Sequence, residues 1–161
     1  MKKRIAFIGA ILSLIPLGQP LIIKTGVVLS TTGLILFVPE KAQAENYSIS
    51  AIEYVISAKN YYEDGNFEKA LEDLNEAILI YPQDYYSYYL RSFVKNKLND
   101  PYGEISDLNK AIKRNKLNFE LYVNRGLTKQ EIGDIKGACS DWRKASSLGY
   151  ETARAWVEEE C

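Results

Sequence analysis

Beyond residue 50, apolar positions recur three and four apart, as on one face of an α-helix, and the whole pattern returns at a fixed interval. Asp73, Asp107 and Asp141 are 34 residues apart. Leu74, Leu108 and Trp142 keep that spacing, and so do Ala77, Ala111 and Ala145. Upstream, Tyr54, Tyr88 and Tyr122 keep it too, each followed four positions later by a small residue: Ala58, Ser92 and Gly126. Leu74-Asn75-Glu76-Ala77-Ile78 returns almost unchanged as Leu108-Asn109-Lys110-Ala111-Ile112.

Each unit predicts two helices. Ser50 and Glu53 read as a capping box opening a helix that runs to about Asp64. Gly65-Asn66 turns the chain, and a second helix runs from Phe67 to about Ile80, with Pro82 as its stop. In the second unit Asp84 and Asp100 suit the N-cap, and Pro101 takes the first helical position, where its missing N–H costs nothing. In the third, Asn118 and Asp134 can cap. Lys116 stands where Pro82 stood, so that turn lacks its stop signal. One such unit cannot bury its apolar face alone, and three stacked units share a core. A last helix over 151–160 would cover the open end, with Ala153, Val157 and Cys161 on one face and Trp156 beside them.

These positions resemble the tetratricopeptide repeat family. Tyr54, Ala58, Tyr61, Ala70, Leu74, Ala77 and Pro82 match its pattern in the first unit, and Tyr122, Gly126, Ala138, Trp142 and Ala145 in the third. The resemblance implies an all-α, right-handed superhelical stack of three helix hairpins, over 51–84, 85–118 and 119–150. A capping helix over 151–161 would come after them, and a short linker over 45–50 would precede. The second unit departs, with Glu104 at the alanine position and Lys95 at the turn-side aromatic. Family geometry brings those two together, so a partly buried Lys95–Glu104 ion pair is expected, unless both side chains reach out to water.

The first 44 residues read as an address. Lys2-Lys3-Arg4 is a basic start, Ile5 to Leu17 is apolar, and a second apolar run spans Gly26 to Val38. Ala42-Gln43-Ala44 is a small-residue pattern of the kind a signal peptidase reads, which places cleavage after Ala44. An uncleaved anchor over Leu21–Val38 is a second reading, although Lys24 intrudes and the run barely reaches the roughly 20 residues that span a bilayer. A start codon set too early is a third. The first two place the domain outside the cytoplasm, in the periplasm, or in the thylakoid lumen of a cyanobacterium. Membrane contact would come only through residues 1–44, if they stay attached.

Residues 1–44 hold Lys2, Lys3, Arg4, Lys24 and Lys41 against Glu40. Of 20 basic and 21 acidic residues, 15 and 20 therefore remain in 45–161, a net charge of −5. No Lys/Arg cluster suits a phosphate backbone, so nucleic acid is not an expected partner. The absence of histidine removes the commonest general base and metal ligand. With two cysteines and no histidine, no metal site or cofactor is expected. Cys139 and Cys161 are 22 apart, unlike a redox Cys-x-x-Cys. In an oxidising compartment the pair suggests a disulfide pinning the covering helix to the last unit. Two unconnected thiols, or a switching disulfide, remain open. The ending from Gly137 to Cys161 also resembles the last repeat of short exported bacterial proteins of this family.

In the family the first helices of successive repeats line a concave groove. By register it would hold Val55, Lys59 and Tyr62, then Tyr86, Tyr89, Phe93 and Asn96, then Val123 and Leu127. Ile52, Glu120 and Gln130 share that face. Tyr86, Tyr89 and Phe93 form one helical stripe, suited to recognition, or to packing on neighbouring repeats. The Lys, Asn and Arg positions that grip a peptide carboxylate in chaperone-binding relatives hold Val55, Tyr89 and Val123, and Lys59, Phe93 and Leu127. Only Asn124 echoes the clamp. The expected function is a non-enzymatic module binding a protein or peptide outside the cytoplasm, with assembly of a membrane or envelope complex as one task it could serve. A self-associating structural repeat is the alternative, and a thiol-based redox protein a remote one.

Overall fold

The computed structural model describes the backbone of residues 21–23, 27–29, 35–37 and 40–161, and side chains from Ile49 onward. Contacts divide the chain into two units, Met1–Asn46 and Tyr47–Cys161, each described by itself.

In the first unit, β1 (Leu21–Ile23), β2 (Val27–Leu29) and β3 (Ile35–Phe37) pair antiparallel in that order, with Leu21 opposite Leu29 and Val28 opposite Leu36. These strands fall within Leu21–Val38, the run of the anchor reading, whose other residues lie outside the described ones. Its β-branched runs, interrupted at Gly26 and Gly33, favour short strands. Among the described residues no helix is long and apolar enough to cross a membrane. The basic start and the Ile5–Leu17 run lie outside the described residues.

The second unit is all-α, and its first helix begins within the first unit. Helix α1 spans Glu40–Glu63, α2 Phe67–Ile80, α3 Tyr85–Lys97, α4 Pro101–Arg114, α5 Phe119–Glu131, α6 Ile135–Ser147 and α7 Thr152–Glu160. The expected helix start at Ser50 is overturned: α1 begins ten residues earlier, right after Pro39, and takes in the expected linker 45–50. Good helix formers fill Glu40 to Glu45, and no proline or glycine interrupts the chain from there to Glu63.

The starts of α3, α4, α5 and α6 are where the caps put them. Asp84 accepts from the N–H groups of Tyr86 and Ser87, Asp100 from Gly103, Asn118 from Glu120 and Asp134 from Gly137. Between the helices of each hairpin the chain enters the left-handed region at Gly65 (φ 76°), Asn99 (φ 57°) and Gly133 (φ 84°). Asparagine is the side chain that tolerates this conformation best, so the 34-residue register survives without glycine at its middle position. The turn lacking a proline also forms, since α4 ends at Arg114 and α5 starts at Phe119. Tyr122 there donates its hydroxyl to the Lys116 carbonyl (3.2 Å), and the Arg114 guanidinium reaches back to the Pro82 carbonyl (2.7 Å).

Packing runs along the stack. Ala58, Ala70, Leu74 and Val94 form one buried cluster, and Tyr88, Leu108, Ala111 and Leu121 the next. Tyr122, Ala138, Trp142, Ala145 and Ala153 form the last. In that last cluster a tryptophan replaces the leucine of the other units, and Gly126 makes the room. A Cβ at Gly126 would stand 2.5 Å from the Trp142 indole nitrogen. Helix α7 covers the end, with Trp156 5.5 Å from Trp142 between ring centroids and Ala153 fully buried. The sulfurs of Cys139 and Cys161 stand at disulfide distance, 2.01 Å, so the bridge ties the segment ending α7 to α6.

Candidate binding groove

The first helices α1, α3 and α5 carry the residues assigned to the groove, and the structure sorts them into three kinds. Val55 and Val123 pack against buried clusters and form floor rather than lip. Lys59, Tyr62 and Phe93 come together around a recess of about 360 Å³, whose floor is Ala58, Leu74 and Val94. Leu90 and Glu63 complete it. Tyr86, Asn96 and Leu127 are exposed to solvent.

The tyrosine stripe exists as a run of ring contacts. Tyr86 and Tyr89 lie 6.3 Å apart, and Tyr89 meets Phe93 edge-on at 4.7 Å. Tyr89 is also held by the third repeat, because Asn124 donates to its hydroxyl (3.3 Å). Burial and the Glu120 charge push the Tyr89 phenol up to about 12, against the opposing bond from Asn124. So Tyr89 serves partly as packing, while Phe93 lines the recess and Tyr86 faces solvent.

The expected Lys95–Glu104 pair does not form. The Lys95 ammonium lies 2.7 Å from Asp107 Oδ2. Asp107 is fully buried, and Arg91 forks onto both its oxygens (2.8 and 2.7 Å) while its third nitrogen reaches Asn75 Oδ1 (2.6 Å) in the preceding hairpin. The Arg91 fork fixes the Asp107 carboxylate with Oδ2 within reach of Lys95, while Glu104 Oε2 accepts from Asn96. Burial alone would raise the Asp107 carboxyl. The hydrogen bonds and charges of Arg91 and Lys95 overcome that and hold it below the usual aspartate range.

The same cluster recurs 34 residues on, where Arg125 and Lys129 hold Asp141 and Arg125 also reaches Asn109. In the first unit Ser57 and Tyr61 occupy the cation positions. There Asp73 keeps a buried oxygen with no hydrogen-bond partner among the described residues. These clusters were missed in the sequence, although Arg91/Arg125, Lys95/Lys129 and Asn75/Asn109 all repeat at 34.

Glu104 is 4 % exposed. Asn96 Nδ2 donates to its Oε2 (3.1 Å), and Thr128, whose hydroxyl donates to the Asn124 carbonyl (2.9 Å), lies beside it. Burial raises its carboxyl above the ordinary glutamate range, polar Asn96 and Thr128 oppose this, and the charges of Glu131 and Asp100 add to it. Among the described residues no group of three or more metal-ligating side chains occurs, and neither cysteine is free.

No protein-family model matches the chain, and no curated protein does. Solved structures match its fold. The Arabidopsis OM64 TPR domain is 23% identical over 70% of this chain and 94% of that one, with a TM-score of 0.64. The first TPR of Spaghetti (RPAP3), bound to the HSP90 peptide SRMEEVD, is 18% identical over 70% and 90%, at TM-score 0.64. The TPR2B domain of yeast Sti1, in its pHsp70 complex, is 23% identical over 65% and 83%, at TM-score 0.62. The paired helices from α1 to α6, in 34-residue register under a covering helix, thus have the tetratricopeptide repeat fold.

Proposed function

We propose that this protein is a non-enzymatic interaction module whose groove receives an extended segment of a partner protein, anchored by one bulky apolar side chain. The observation that carries this reading is the recess between the first two repeats. Its floor is apolar, its rim combines Lys59, Tyr62 and Phe93, and its volume of about 360 Å³ suits one large side chain. Neighbours of the same fold hold peptides, as the RPAP3 domain holds SRMEEVD. The function is exercised outside the cytoplasm, in a periplasm or thylakoid lumen, where it could serve assembly of an envelope complex. The N-terminal apolar pattern and the bridged Cys139 and Cys161 support that location.

The test is selection of a random dodecapeptide phage library on the full chain. Enrichment of a large aliphatic or aromatic residue, lost in Phe93→Ala and Tyr62→Ala, is expected. No enrichment over an unrelated helical protein would refute the reading.

A second reading, self-association, is favoured by one surface. Ile49, Ile52 and Ile56 on α1 are 56, 52 and 55 % exposed and lie on one face of that helix. Light scattering that shows a monomer at all concentrations would exclude it.

A further inference from the structure

Helix α7 is poorly provided for by its own sequence. The helices α3 to α6 each have a side-chain N-cap and a basic residue in the last turn. Helix α7 has neither. Glu151 precedes it without a side-chain capping bond, and it closes on Glu158-Glu159-Glu160, where the helix dipole is negative and repels carboxylates. None of the three joins an ion pair among the described residues. At nine residues α7 is also below the roughly 12–15 at which an isolated helix holds in water.

Two things outside α7 hold it. One is packing: Ala153 is fully buried, and Trp156 and Val157 are partly buried against the cluster of Tyr122, Trp142 and Ala145. The other is the bridge from Cys161 to Cys139 on α6. The two cysteines differ in access, since Cys139 is 5 % exposed and Cys161 lies open to solvent. The chain leading into α7 is anchored separately. It enters the left-handed region at Gly149 (φ 100°), and Tyr150 stacks on Phe119 at 5.1 Å between ring centroids. Residues 151–161 thus run from a fixed ring to a bond that a thiol can cut.

We propose that the Cys139–Cys161 bridge is a redox latch, which a dithiol reductant opens to release α7 and bare the apolar end of the stack. The chemistry is thiol–disulfide exchange. A thiolate of the reductant attacks the exposed Cys161 sulfur, the S–S bond breaks, and Cys139 leaves as a thiolate and takes a proton. The reductant's second thiol then displaces the Cys161 sulfur from the mixed disulfide. Two protein thiols form as one dithiol becomes a disulfide. Without the bond, three apolar side chains stand against an uncapped start and a repulsive end, and α7 opens as a local unit. Trp142, Tyr122 and Ala145 then lose their cover, and the contacts of Trp156 with Trp142 and Tyr150 break. The recess between the first two repeats is built from α1, α2 and α3 and keeps its walls. The latch goes beyond the groove reading and does not rest on it.

Hydrogen exchange of the full chain, followed by mass spectrometry with and without dithiothreitol, tests this. On reduction, amides of 152–161 should exchange faster by about tenfold or more, while those of 67–131 should change by less than about twofold. Oxidised glutathione, added after the dithiothreitol is removed, should restore the slow rates. Glu159→Gln/Glu160→Gln relieves the repulsion at the helix end, so in the reduced variant α7 should exchange about threefold or more slower than in the reduced wild type. Equal α7 rates with and without dithiothreitol would overturn the latch. So would acceleration that spreads through α2 to α5, since that is global unfolding rather than release of one helix. Rates that oxidised glutathione fails to restore, or that the double variant leaves unchanged, would overturn it as well.

Discussion

The repeat supplies its own comparison for what an aspartate at this register position does. Asp107 and Asp73 hold the same register position, yet Asp107 faces Arg91 and Lys95 while Asp73 has Ser57 and Tyr61 at the equivalent positions. Replacement of Asp107 by alanine leaves Arg91, 12 % exposed, and Lys95, 19 % exposed, side by side without their anion. Breaking a buried pair from one side costs roughly 3–5 kcal/mol. Partial exposure of both cations lets water screen them, so the lower end, about 3 kcal/mol, is expected here. That is a large share of the roughly 5–15 kcal/mol that holds a domain of this size. Asp73→Ala removes a buried oxygen that has no bond among the described residues, so it should cost about 0.5 kcal/mol or less, or stabilise. Urea denaturation of the full chain at pH 7, monitored by far-UV circular dichroism, measures both. The pH dependence has a definite sign. The Asp107 carboxyl is depressed in the folded state, so its stabilisation is complete above the unfolded value near 3.9 and fades as pH falls through the folded value. The gap between wild type and Asp107→Ala should therefore narrow below about pH 4. Equal losses for the two variants, or a gap indifferent to pH, would refute the charge-clamp account.

The same geometry sets three further outcomes. Glu104→Gln should raise the melting temperature at pH 7. The wild-type carboxyl is raised by burial, so the folded state loses stability as pH rises through that range, and the advantage of Gln should close towards pH 4. Gly126→Ala should destabilise by about 1–3 kcal/mol in thermal melts despite alanine's better helix propensity, because its Cβ would overlap the Trp142 ring. Trp142→Leu in the same chain should restore much of the loss. Cys139→Ser/Cys161→Ser should cost on the order of 3 kcal/mol, read by urea denaturation without reductant, and should expose the Trp142–Trp156 contact to fluorescence quenchers.

The hairpins, four side-chain N-caps and the covering helix were legible in the sequence because each rests on local matter. A cap needs an oxygen two or three residues from the N–H groups it satisfies, and a stacked repeat needs its apolar spacing to return. Family resemblance and register together put Lys59, Tyr62 and Phe93 on one face, and these three side chains line one recess. The early start of α1 was missed because the Ser50–Glu53 pattern is a sufficient cap only if the preceding residues do not prefer helix, and Glu40 to Glu45 do.

The sequence could not choose the partner of Lys95. Glu104 and Asp107 are three apart on α4, on one face of one helix, so both answer to the same register. What decides is Arg91, whose fork reaches Asp107 and Asn75 at once across three helices and fixes that carboxylate as the anion of the cluster. Glu104 is left buried beside Asn96, with no ion pair among the described residues. Helical period and capping are set by neighbours along the chain. The pairing of buried charges depends on which helices meet, and only the packed stack determines that.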